Sequence, residues 1–139
     1  MNINSKSRVM IVDEINFVVG KIEESKDITQ GLYYFSGVHS IINRIYNQDF
    51  NEDLVLLHLI LQSTHTAFNS RLNVIRKGGD NTVPLFDSQI KALADYLKEL
   101  AVVIEKKKDL NVIMKKFTLL SCSTTGNGYY LLQKGILKI

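Results

Sequence analysis

The chain has 139 residues, 45% of them apolar and 22% charged, with a net charge of +3, one proline and no tryptophan. That size and balance fit one soluble globular domain over residues 1–139. Cys122 is the only cysteine, which excludes an internal disulfide, and no run approaches the ~20 uninterrupted apolar residues of a membrane-spanning helix.

The segment from Met1 to Arg8 is polar and lacks the apolar core of a signal peptide, so the expected location is cytoplasmic. Ile11, Ile15, Val18, Val19 and Ile22 recur at helical spacing with charged residues between them, predicting a helix from about Ser7 to Ser25. Asp27 to Gly31 reads as a short turn. A second helix is expected from about Thr29 to Asn47, with Leu32, Phe35, Val38, Ile42 and Ile45 as its buried stripe. Asn51 is a plausible N-cap for the third, followed by Glu52 and Asp53 at the positive end of its dipole. Leu54, Leu57, Leu61, Phe68, Leu72 and Ile75 make its apolar face, and Gly78-Gly79 stops it.

Gly78 to Val83 reads as a linker, with Pro84 near the first turn of a fourth helix. Phe86, Ile90, Leu93, Leu97, Leu100 and Ile104 alternate steps of three and four, a bundle seam that runs to about Lys108. A restart from Asp109 to Lys116 is also consistent with the pattern. The tail from Phe117 has two readings. Phe117 to Cys122 fits a strand and Asn127-Gly128 a hairpin turn, whereas Tyr129 to Leu137 fits a last helix. The four long amphipathic helices define an all-α fold, expected as a four-helix up-and-down bundle.

Charge is unevenly spread. From Lys106 onward seven lysines face a single acid, Asp109, a local charge of +6 that leaves −3 on the rest of the chain. Such an end is a candidate contact for nucleic acid, a nucleotide or an acidic partner. The favoured reading is a solvated helix end, because no aromatic interleaves the lysines as a base-stacking platform needs.

Among candidates for chemistry, His58 and His65 share a face of the third helix but lie two turns apart, ~10 Å, too far for one metal ion. His39 on the second helix can approach one of them; the favoured reading is histidines hydrogen-bonded beside the core. Asp13 and Glu14 point ~100° apart on a helix, so they do not form a paired acid and base. Asn16 lies beside the apolar stripe and needs a partner if buried, and Gly20, one turn on, admits a neighbouring backbone or ligand. Ser121 to Gly128 is rich in small donors of the kind that cradle phosphate before a helix, although it lacks the ending of a P-loop and reads first as a plain turn.

Arg8-Val9, then Val12-Asp13-Glu14-Ile15-Asn16 and Gly20, resembles the first helix of the PduO-type ATP:cobalamin adenosyltransferases. Gln89-Ile90, Leu93, Leu97 and Leu100 look like that family's fourth helix, and Phe117 to Ser123 is similar to its Phe-x-Leu-Pro-Gly-Gly-Ser segment. Tyr129 to Lys138 would match the start of its last helix, which adds a short C-terminal helix to the expected bundle. The resemblance implies a homo-oligomer, a trimer in the family, with ligands between subunits. It puts Asp13 and Asn16 near that interface, Ser121 and Ser123 in the Gly-rich segment, and Lys134 near a phosphate. The implied ligands are ATP with Mg²⁺, or cobalamin.

Leu120, Ser121 and Cys122 stand where the family has Pro-Gly-Gly, Gln133 and Lys134 where it has Arg-Thr, and its nucleotide loop has no counterpart before Ser7. The expectation is therefore an adenosyltransferase-like bundle that acts as an oligomeric binding or scaffold protein without adenosyl transfer. Two alternatives stand beside it: a divergent adenosyltransferase using Asp13, Asn16 and Lys134, and a helical subunit of a nucleic-acid-binding assembly using the basic tail.

Overall fold

In a computed structural model of the chain, which describes residues 3–25, 28–78 and 83–139, six helices follow one another and no strand occurs among those residues. They are α1 (Ser5–Glu24), α2 (Ile28–Gln48), α3 (Glu52–Arg76), α4 (Val83–Glu105), α5 (Asn111–Ser123) and α6 (Gly126–Gln133). Helix α1 packs on α2 and α4, α2 on α3, α5 on both α3 and α4, and α6 on α5. None of the helices is long and apolar enough, over the described residues, to cross a membrane.

The helix boundaries follow from local hydrogen bonding. Asn4 caps α1, its side chain accepting from the Ser7 amide at 2.8 Å, and its Nδ2 donates to Asp49 at 3.1 Å, tying the start of α1 to the end of α2. Asn51 caps α3 by accepting from the Asp53 amide at 2.9 Å, as its sequence position suggested. Helix α2 begins earlier than expected, so residues 28–31 of the anticipated turn are helical and Asp27 lies outside the described residues. Of the anticipated linker, residues 79–82 lie outside the described residues and Val83 already belongs to α4.

Helix α4 stops three residues short of Lys108. Lys107 adopts a left-handed conformation, φ 57°, its amide bonding to Ile104 O at 3.2 Å and that of Lys108 to Val103 O at 2.9 Å. This is a Schellman ending with lysine where glycine is usual. Arg8, buried in α1, adds a second cap: its guanidinium donates to Ile104 O at 2.7 Å and to Ile3 O at 3.2 Å.

The tail is helical as far as Gln133, four residues short of the expected Leu137, and the strand-and-hairpin alternative is not what forms. Phe117 to Cys122 lies inside α5, where Leu110, Ile113, Phe117 and Leu120 are spaced by three, four and three and all face the core. Asn127-Gly128 sits in the first turn of α6 rather than in a hairpin turn. The core runs continuously through α1 to α5, with Phe35, Phe68, Phe86 and Phe117 fully buried and the rings of Phe68 and Phe86 5.7 Å apart.

Candidate functional site

Asp13 and Asn16 lie on the outer face of α1, both exposed. The buried residues of that helix are Ser7, Arg8, Ile11, Ile15, Val18, Val19 and Ile22, so a period of 3.6 turns positions 13, 16 and 20 away from the core. The buried-partner expectation for Asn16 is thus replaced by a solvent-facing amide. A side chain at Gly20 would meet nothing within 4 Å, so no other helix approaches it. Beside this stripe is an aromatic cluster. Phe17 and Tyr34 meet edge-on at 6.1 Å, Tyr33 and Tyr34 at 5.8 Å, and Lys21 lies 5.5 Å from the Phe17 ring and 5.7 Å from that of Tyr34. Phe17 and Tyr33 remain 52% and 73% exposed.

Ser121 and Ser123 occupy the last turn of α5, not a loop. Ser121 shares a hydrogen bond of 2.7 Å with Thr64 of α3, whose hydroxyl also donates to Ile60 O at 2.8 Å. Ser123 is fully buried: its hydroxyl donates to Leu120 O at 2.6 Å, and Gln89 of α4 donates to its carbonyl and hydroxyl oxygens at 3.0 and 3.1 Å. Those bonds make Ser123 a buried tie between α4 and α5, in addition to the Lys116–Glu99 ion pair at 2.7 Å. Only Thr124 and Thr125 separate α5 from α6; their amides donate to Ser121 O and Cys122 O, both at 3.2 Å, and Gly126, Asn127 and Gly128 form the first turn of α6. Lys134 is the exposed C-cap of α6, its ammonium 5.5 Å from the Tyr130 ring.

Between α3 and α5 runs an open groove of about 570 Å³, lined by Leu59, Ser63, Thr66, Thr118, Ser121, Cys122 and neighbouring small residues. Its lining offers hydroxyls, the Gln62 carboxamide and one thiol but no charged group. Arg71 lines a separate, smaller pocket with Thr124, Thr125 and Gly126, donating to Thr124 O at 3.0 Å with its guanidinium 3.4 Å from the Tyr129 ring.

The three histidines form a line across the α2–α3 seam. The His39 ring is 5.8 Å from that of His58 and 5.4 Å from that of His65, so it approaches both rather than one. His65 shares a 3.1 Å hydrogen bond with Leu32 O, as expected of a structural histidine. His39 Nε2 and His58 Nδ1 are buried without a hydrogen-bond partner. All three hold pKa values below the usual 6.5: burial disfavours each imidazolium, the rings of His65 and His58 further disfavour it at His39, and the Leu32 carbonyl partly offsets burial at His65. The rings are therefore neutral at pH 7. They are placed in a row, and no group of three or more histidine, cysteine or acidic residues among those described is arranged to hold a metal ion.

Within the chain the candidate residues fall on separate faces: Asp13 and Asn16 on α1, Ser121 on the α3–α5 groove, Ser123 in the core and Lys134 at the end of α6. Among the described residues no hydrogen bond, ion pair or ring contact joins the α1 pair to the other three. The groove lining itself brings no charged side chain to a triphosphate. No family model, curated protein or solved structure significantly matches the chain.

Proposed function

We propose that this chain is an adenosyltransferase-like helical bundle that works as an oligomeric binding or scaffold protein and does not transfer adenosyl groups. Helices α1 to α4, each of 20 to 25 residues, are the four-helix bundle of this reading, with α5 wedged on its α3–α4 side and α6 as the short extra helix. The observation that carries the proposal is the outer face of α1. It sets Val9, Met10 and Phe17, 57%, 42% and 52% exposed, around Asp13 and Asn16, a mixed apolar and polar stripe of the kind that meets another subunit.

The dispersal of the remaining candidates supports the absence of catalysis. Adenosyl transfer needs a triphosphate held by several charged donors at once. Here Ser123 is consumed in the core and Lys134 stands apart from the groove.

The test is an adenosyl-transfer assay with ATP, Mg²⁺ and reduced cobalamin, run beside a thermal-shift series with the same ligands. The reading predicts no turnover. Turnover that scales with protein and is abolished by Asp13→Asn in a folded variant would replace it with the divergent-enzyme reading. A ligand at ~100 times its dissociation constant adds about 2.7 kcal/mol of apparent stability, so a thermal shift without turnover identifies what the bundle binds.

A further inference from the structure

The outer face of α1 is complementary to its own reversed copy. Lys6, Asp13, Lys21 and Glu24 alternate in sign along one side of the helix, with the exposed Val9, Met10 and Phe17 between them. Asp13 and Lys21 stand equally far from Phe17, one on each side. A second α1 laid antiparallel, with Phe17 at the crossing, therefore sets Asp13 against Lys21 of the partner subunit, and does so twice. The same reversal leaves Lys6 about one turn past Glu24 of the partner subunit. A parallel copy would instead oppose Asp13 to Asp13 and Lys21 to Lys21.

Two further observations fit a second copy. Gly20 sits on this stripe about one turn beyond Phe17, with nothing within 4 Å of where a side chain would begin. A glycine inside a helix forgoes helix stability, and the space it leaves open lets a partner's backbone come close. Tyr34 of α2 meets Phe17, and Tyr33 beside it extends the aromatic surface beyond one helix. Among the described residues Asp13 makes no ion pair and Lys21 only its two ring contacts, so both charges are available across the interface.

We propose that two copies of this chain associate about a twofold axis at Phe17, α1 antiparallel to α1, with Asp13 and Lys21 as reciprocal partners. The proposal rests on the oligomeric reading above and specifies its interface as a twofold contact, in place of the threefold one that the resemblance implies. The experiment is sedimentation equilibrium on the full chain, Asp13→Lys, Lys21→Glu and the double variant, each checked for helical content by circular dichroism. Both residues lie outside the core, so all four proteins fold. Each single variant is expected to weaken dimerisation by about tenfold, because the twofold repeats every unfavourable pair. The double variant is expected to restore it to within about threefold. An oligomer of any size that ignores the single variants, or single variants that weaken it without rescue in the double, overturns this interface while leaving the oligomeric reading intact. A monomer at every concentration overturns both.

Discussion

Gly31 and Gly128 both sit inside helices, yet replacing each with alanine is predicted to act in opposite directions. A β-carbon at Gly31 would lie 3.9 Å from Ile22 Cα, Ile22 Cγ1 and Ser25 Cβ, ordinary van der Waals distances in a buried site between α1 and α2. The methyl group fits, and Gly31→Ala should stabilise the protein by about 0.5–1 kcal/mol through a less flexible unfolded chain. At Gly128 the same atom would fall 1.9 Å from Cys122 O, 2.6 Å from Cys122 C and 2.8 Å from Cys122 Sγ. Two of these neighbours are backbone, so relief requires α6 to move away from the end of α5 by more than 1 Å. Overpacking of this kind costs about 1–3 kcal/mol or more, and a backbone obstacle belongs at the upper end. The expected net loss is about 2–3 kcal/mol, or roughly 6–15 °C in Tm for a chain of this size. Urea unfolding followed by circular dichroism measures both variants. Should α6 yield alone, the loss would appear as faster hydrogen exchange at Tyr129 and Leu131. Gly128→Ala within 0.5 kcal/mol of wild type, with exchange at α6 unchanged, would refute the packing of α6 on α5.

Further expectations come from the caps, the buried network and the histidine line. Lys107→Gly should stabilise by about 1 kcal/mol, because lysine occupies a left-handed position that glycine adopts freely; a lower urea midpoint would contradict the Schellman ending of α4. Ser123→Ala should destabilise by about 1–3 kcal/mol, since it removes the hydroxyl that links Gln89 to Leu120 O inside the core, and an unchanged midpoint would sink that network. The histidines have folded-state pKa values below 6.5, so the unfolded chain binds protons more readily. Their contribution is full above about pH 6.5 and is lost as pH falls through the lowered values. The urea midpoint should therefore drop between pH 7.5 and pH 5, and His39→Gln should flatten that drop. Equal pH slopes for the two proteins would contradict the reasoning.

Much of the architecture was legible because burial leaves a period in the sequence. The stripe from Ile11 to Ile22 and the seam from Phe86 to Ile104 are the buried faces of α1 and α4. The end of α4 is not legible in the sequence, because lysines favour helix and only tertiary contacts, Arg8 reaching Ile104 O among them, terminate it there. Phe117 to Cys122 looked like a strand when read alone. Taken with Leu110 and Ile113 its spacing is helical, and that longer window was the available signal.

The candidate site was less legible. Asp13, Asn16 and Gly20 share a face by simple periodicity, but that the face is left open could be learned only from the packing of α2 and α4 around α1. Ser123 looked like a loop donor because nothing local announces Gln89, which is 34 positions away in the chain. Thr64 and Arg71 carried no signal in the sequence, as their roles depend on α5 lying against α3. The row of three histidines was half visible: the spacing of His58 and His65 was clear, while the place of His39 between them required the register of α2 on α3.

The central claim is that the open face of α1 makes this bundle an oligomer. Multi-angle light scattering over a wide concentration series, on wild type and on Phe17→Glu, tests it most directly. The account predicts a discrete mass above 15.8 kDa for wild type and a shift toward the monomer for the variant. A wild-type mass that stays at the monomer value at the highest concentration reached would contradict it.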